Sequence, residues 1–136
     1  MKSLAKGIPS SIATTKINNV PRDVTIFASQ PVDIWDGQLD EFGLYKGEGT
    51  IWHYNGEIYT GIYKNGKKHG LGTYKYSDGG SYTGFWLNSR RHGLGTFKYY
   101  YGDTYIGNWK NGIYSGQGTY KWADGGVYTG NWKNGK

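Results

Sequence analysis

The only histidines are His53, His69 and His92, and past Glu57 the only acids are Asp78, Asp103 and Asp124. A zinc site needs donors converging within about 2.1 Å of one ion. His69 and His92 recur 23 residues apart, which in a chain of short hairpins leaves their backbones about 10 Å apart. No carboxylate shares their column, so they are expected to be turn residues that hydrogen-bond backbone. The three acids fall singly among glycines, so the paired carboxylates of general acid–base catalysis are missing. No serine has both a histidine and an aspartate in triad register. Gly61 to Lys67 spells G-x-x-x-x-G-K, and Gly130 to Lys136 spells it again. Lys68 stands where a phosphate loop requires a magnesium-binding Ser or Thr, and a hairpin is expected to follow where that loop needs a helix. With no cysteine in the chain, thiol chemistry is excluded. The expectation is a protein without catalytic residues, metal or cofactor.

The same glycines and aromatics set the elements that would position any site. Tyr59, Tyr82, Tyr105 and Tyr128 head rows of 23 residues: YTGIYKNGKKHGLGTYKYSDGGS, YTGFWLNSRRHGLGTFKYYYGDT, YIGNWKNGIYSGQGTYKWADGGV and the partial YTGNWKNGK. Extending the frame backward gives a degenerate row, residues 36–58, that keeps Gly43, Gly47, Gly49, Thr50 and Gly56 and lacks the leading tyrosine. Such a fixed period signals a stacked repeat. Within a row, Tyr82 to Trp86 and Gly95 to Tyr99 alternate with period two, as strands do. Asn88 to Gly93 is expected to be a turn of about five or six residues, and Asp78-Gly79, Asp124-Gly125 and Asn55-Gly56 to be the tight hairpin turns. Nothing has a helical period. The predicted fold is all-β: a single-layer antiparallel meander of tandem hairpins, forming a twisted or curved open sheet.

Pleating assigns Tyr82, Gly84, Trp86, Gly95, Phe97 and Tyr99 to one face. Thr73, Thr96 and Thr119, with Lys75, Lys98 and Lys121, take the other. Glycine among strand aromatics implies rings lying flat on the backbone of the neighbouring strand. Stability then accumulates row by row.

Of 136 residues, 24 are glycine and 24 aromatic, while 36% are hydrophobic; no apolar run is long enough for a membrane-spanning helix. Residues 1–35 carry all three prolines and one glycine, and read as an irregular segment with one short strand at Val24–Phe27. Val32, Ile34 and Trp35 are expected to cap the first strand of the repeats. The first residues lack the apolar core of a secretory signal, and their basic, Ser/Thr-rich character keeps an organelle transit peptide open. The expected location is cytoplasmic, not secreted. Residues 59–136 hold eleven basic and three acidic side chains against five and seven before them, a surface suited to anionic partners.

The pattern Y-x-G-x-W-x-x-G-x-x-H-G-x-G-x-x-x-x-x-D-G, carried by Tyr82, Gly84, Trp86, His92, Gly93, Gly95 and Gly102, resembles the MORN (membrane occupation and recognition nexus) repeat over residues 36–136. Ser89, Ser115, Tyr63 and Tyr101 depart from it, in place of the turn glycine, the histidine, the tryptophan and the aspartate. The resemblance implies an attachment module rather than a catalyst. Family members tie such arrays to lipid kinases, junctional proteins and ciliary spoke heads, and some hold a helical partner peptide.

Two partner classes follow. Tyr63, Trp86, Phe97, Trp109 and Trp132 form an apolar stripe with no second sheet over it, the kind of patch that marks a protein-partner site. Its cover is expected to be a partner segment, a second copy or residues 1–35. A scaffold or adaptor within a cytoskeletal or ciliary assembly is the leading reading. The alternative is attachment to an anionic phosphoinositide membrane through Lys64, Lys67, Lys68, Arg90 and Arg91 at a basic sheet edge. Nucleic acid is not expected, because repeat packing accounts for the aromatics.

Overall fold

Asn88 and Ser89 both adopt left-handed backbone, at φ 50° and 66°, and they alone separate two strands. Asn65-Gly66, Asn111-Gly112 and Asn134-Gly135 repeat that geometry, the two-residue type I′ turn whose twist matches the flanking strands. The within-row turn is therefore two residues long, where five or six were expected. The extra residues are absorbed further along, in a bulge. Gly84 pairs with Gly95 and Trp86 with Arg91, so three residues oppose Phe85. Gly93 at φ 73° makes that bulge possible. His92 lies in this bulged strand and not in a turn. Between rows the chain uses a longer turn: Gly79 donates to the Tyr76 carbonyl at 3.0 Å, and the Asp78 side chain accepts from Gly80 at 2.8 Å.

The computed structural model describes residues 32–136. Val24–Phe27 and the expected fold-back of the N-terminal segment lie outside the described residues. The chain divides into two units after Gly66. The first holds β1 (Ile34–Leu39), β2 (Tyr45–Trp52) and β3 (Ile58–Lys64). The second holds β4 (Lys67–Lys75), β5 (Ser81–Leu87), β6 (Arg90–Lys98), β7 (Thr104–Lys110), β8 (Ile113–Lys121) and β9 (Val127–Trp132). Within each unit the strands pair antiparallel in chain order as one open layer. The described residues contain no helix. The fold is the all-β meander that the period predicts.

In the first unit Trp35, not Asp36, occupies the column of the leading tyrosines. Trp35 pairs with Ile51, which pairs in turn with Tyr59. Its ring lies where a Cβ on Gly37 or Gly49 would fall, as the tyrosine rings do in later rows. Its indole donates to the carbonyl three residues on, Gln38, at 3.2 Å. The degenerate row therefore starts one residue earlier than the frame places it, with tryptophan standing for tyrosine.

A layer without a partner sheet must find its core in its own rings. Tyr59, Tyr82 and Tyr105 have no exposed surface, and Trp86 and Trp109 keep 5% and 4%. In the second unit these rings meet edge to face in a file. Trp86, Tyr82, Trp109, Tyr105 and Trp132 follow one another with centroids 5.0, 5.3, 5.3 and 5.5 Å apart. That arrangement brings the positive ring edge to the negative ring face. The opposite face carries the threonine rungs, Thr73–Thr83 at 3.1 Å and Thr119–Thr129 at 3.0 Å. It also exposes Leu71, Phe85 and Leu94, which the Thr/Lys reading of that face did not include.

Candidate functional site

The three tryptophans of the second unit that lie in the file are fixed at their polar ends. Trp86 Nε1 donates to the Gly72 carbonyl, Trp109 Nε1 to Gly95 and Trp132 Nε1 to Gly118, each at 3.2 Å. Each leading tyrosine reaches along its own strand: Tyr82 donates to the Phe85 carbonyl and Tyr105 to Asn108, both at 2.9 Å. Burial pushes the Tyr82 hydroxyl well above the usual phenol range, and the nearby Arg91 charge offsets part of that rise. The stripe is therefore not bare. Trp86 and Trp109 are closed over by their own chain, whereas Phe97 and Trp132 stay half-buried. Tyr63 is buried in the first unit among Trp35, Tyr45 and Tyr59.

What closes the stripe is a column whose two cations, Lys68 and Arg91, the sequence reading placed at a basic sheet edge. One residue per row, at positions 45, 68, 91 and 114, follows the I′ turn or its counterpart and lies on the aromatic face. Tyr45 stacks on Trp35 at 4.4 Å in the first unit. In the second unit Lys68 Nζ sits 5.3 Å from the Trp86 ring and 5.4 Å from Tyr74. The Arg91 guanidinium sits 4.8 Å from Trp109 and 5.2 Å from Phe97. Tyr114 stacks on Tyr105 at 3.9 Å, and its hydroxyl meets that of Tyr99. The occupants differ in chemistry, but all four cover a ring. A cation over the negative face of an aromatic ring is held electrostatically.

The five cations expected at one basic edge separate accordingly. Lys64 ends β3 in the first unit and is exposed. Lys67 and Lys68 are consecutive in a strand and point to opposite sides, so only Lys68 joins the aromatics. Arg91 pairs with Trp86 and Arg90 with Leu87, so by the same alternation Arg91 joins the aromatics and Arg90 borders the cavity from the other side of the strand. The pieces meet in an open cavity of about 270 Å³ lined by Lys68, Tyr74, Tyr76, Trp86, Ser89, Arg90, Arg91 and Gly112. Arg91 is oriented there by donating to the Tyr76 hydroxyl at 3.3 Å and the Gly112 carbonyl at 3.0 Å. Burial lowers the proton affinity of Lys68. The cavity lining contains three cations and no carboxylate. Among the described residues no cluster of donors could hold a metal ion.

Sequence spacing could have indicated this column, because positions 68 and 91 are one period apart. It hid the convergence because the bulge at Gly93, which sets the level of Arg91 against Trp86, cannot be read from alternation.

A search of curated proteins finds no match to this chain. The MORN repeat family matches residues 59–81, 82–104, 105–127 and 128–136, the same rows that the ring file and the column at 68, 91 and 114 mark out. With more than half of its length in tandem copies of that repeat, the chain belongs to the MORN repeat family.

Proposed function

We propose that this protein is a non-catalytic scaffold that docks a segment of another protein along the aromatic and cationic groove of its second unit. MORN repeats are in general interaction modules for proteins or membranes, and not catalysts. The observation that carries the finer reading is the placement of Lys68 and Arg91 across Trp86 and Trp109. Cations held over buried aromatic rings offer a pre-oriented contact surface at low entropic cost together with orientation by charge. No enclosed pocket suited to a small substrate is needed for that role. The setting inferred from the family resemblance is a cytoplasmic assembly, with cytoskeletal and ciliary proteins the first partners to try.

The test is site-specific photo-crosslinking in the full chain. A photoreactive residue at Tyr76, which lines the cavity, is expected to capture a discrete set of proteins, and the same residue at Lys98, on the opposite face, is not. Equal capture from the two positions would remove the groove as the docking surface. The net positive charge of residues 59–136 supports membrane attachment as the second reading. Flotation with phosphoinositide vesicles at physiological salt, retained by the protein and lost on reversing Arg90 and Arg91, would put it first.

A further inference from the structure

We propose that the segment docked in this groove is acidic where it crosses Lys68 and Arg91 and apolar where it crosses Tyr114. The inference rests on the docking reading above and names the chemistry of the partner. It is carried by charge complementarity and by a second, independent feature of the same cavity.

The charge argument is local. Lys68, Arg90 and Arg91 line one cavity whose remaining lining is aromatic, hydroxyl or backbone, with no acid among them. Two hydrogen bonds to Tyr76 and Gly112 occupy two of the five Arg91 donors and hold its guanidinium plane in place. An arginine so oriented presents its remaining donors to a carboxylate without further ordering cost. Lys68 lies over Trp86 in a half-buried position, where water screens an incoming anion less than on an open surface.

The independent feature is backbone strain. The within-row turns at 65–66, 111–112 and 134–135 end in glycine, Gly112 being part of the cavity lining, but the second turn in that lining ends in Ser89 at φ 66°. A non-glycine residue in the left-handed region is uncommon and costs on the order of 1 kcal/mol. The Ser89 hydroxyl accepts from the Lys68 backbone N–H at 3.0 Å while Ser89 N–H donates to the Lys68 carbonyl at 3.0 Å. The turn is thus tied twice to the residue that presents one of the charges. A strained turn held at a cationic pocket is the pattern of a pre-set binding position rather than of a spacer.

The polarity order comes from the column itself. Lys68, Arg91 and Tyr114 stand on β4, β6 and β8, each two strands from the next, or about 10 Å across the sheet. A segment running across the strands therefore meets two cations and then an aromatic at that interval. Three residues of polyproline II chain or seven of helix cover about the same distance and return to the same side.

The experiment uses the full chain and synthetic peptides. One set carries Glu at i and i+3 with Leu at i+6 in a polyproline II background, whose three residues per turn set them on one side. The other carries Glu at i and i+7 with Leu at i+14 in a helix-forming background. Each has a counterpart with both Glu replaced by Gln. Binding is read from the indole resonances of Trp86 and Trp109. In at least one background the Glu peptide is expected to bind about tenfold more tightly than its Gln counterpart at low salt. Lys68→Gln with Arg91→Gln should abolish that preference, and Lys75→Gln with Lys98→Gln on the opposite face should leave it intact. Circular dichroism and thermal unfolding of each variant establish that it is folded; the single Lys68→Gln variant serves if the double one is not. Equal binding of Glu and Gln peptides in both backgrounds overturns the acidic partner and leaves groove docking standing. Failure of every peptide to shift Trp86 or Trp109, alongside phosphoinositide vesicles that do shift them, overturns both.

Discussion

The Tyr82 ring lies across Gly95 of the neighbouring strand, on the spot that a Cβ of residue 95 would occupy. Tyr105 bears the same relation to Gly118. A single sheet thereby buries a tyrosine completely, using backbone as the second layer. The nearest obstacle to a side chain on Gly84 is different: backbone of β6, with the Leu94 carbonyl oxygen 2.6 Å from the new Cβ. Side-chain rotation cannot relieve a clash with backbone.

Gly95→Ala and Gly84→Ala are both expected to destabilise by about 2–3 kcal/mol, the upper range for overpacking. Thr83→Ala, on the exposed side of the same strand, should cost less than about 1 kcal/mol. Urea unfolding followed by tryptophan fluorescence measures all three. Equal costs at positions 84, 95 and 83 would show that the ring-on-glycine contact does not hold the layer.

The buried tyrosines give the fold an alkaline limit. Burial raises the Tyr59, Tyr63 and Tyr82 hydroxyls well above the ordinary value near 10. Above about pH 10 the unfolded chain has released these protons and the folded chain still holds them, so stability falls as pH rises. The expected signature is a phenolate absorbance change that coincides with loss of the near-ultraviolet dichroism above pH 10. Gradual titration of every tyrosine with the fold intact would contradict the burial account.

Ser89 offers a test by sign. Ser89→Ala keeps the left-handed strain and loses the bond from the Lys68 N–H, so it should destabilise by about 1 kcal/mol. Ser89→Gly loses the same bond but releases the strain, and should fall within about 0.5 kcal/mol of the parent. Thermal unfolding of the pair is sufficient, and an alanine variant as stable as the glycine variant would dismiss the strain.

Asp103 is buried and joins one row to the next. Its carboxylate accepts from the Tyr120 hydroxyl at 2.7 Å and from the Ala123 N–H at 2.8 Å. Asp103→Ala should cost about 1–3 kcal/mol, because both donors lose a charged acceptor. Tyr120→Phe, which removes only one of the two bonds, should cost less. Hydrogen exchange at Ala123 is expected to quicken in the aspartate variant alone.

Much of this protein is legible without coordinates. The 23-residue period, the alternation of Tyr82, Gly84 and Trp86, and the glycines between aromatics determine an antiparallel meander, its two faces and rings laid on backbone. They do so because strand period and glycine geometry act over neighbouring residues. The turns were partly misassigned. Asn-Gly and Asp-Gly are both turn signals, and only the bulge at Gly93 decides that Asn88-Ser89 turns in two residues while Asp78-Gly79 belongs to a longer loop. Trp35 escaped the frame because a one-residue offset in β1 is invisible to a fixed period, although its pairing with Ile51 makes it the first row's leading ring. The cations were the largest gap. Lys68 and Arg91 looked like neighbours of Lys67 and Arg90 on an edge, since charge runs carry no direction. Cross-strand register alone places them over Trp86 and Trp109, turning a stripe and an edge into one groove. That placement is a tertiary decision: it depends on which residues of β4, β5 and β6 stand opposite one another, and a register set by bulges is a property of paired strands.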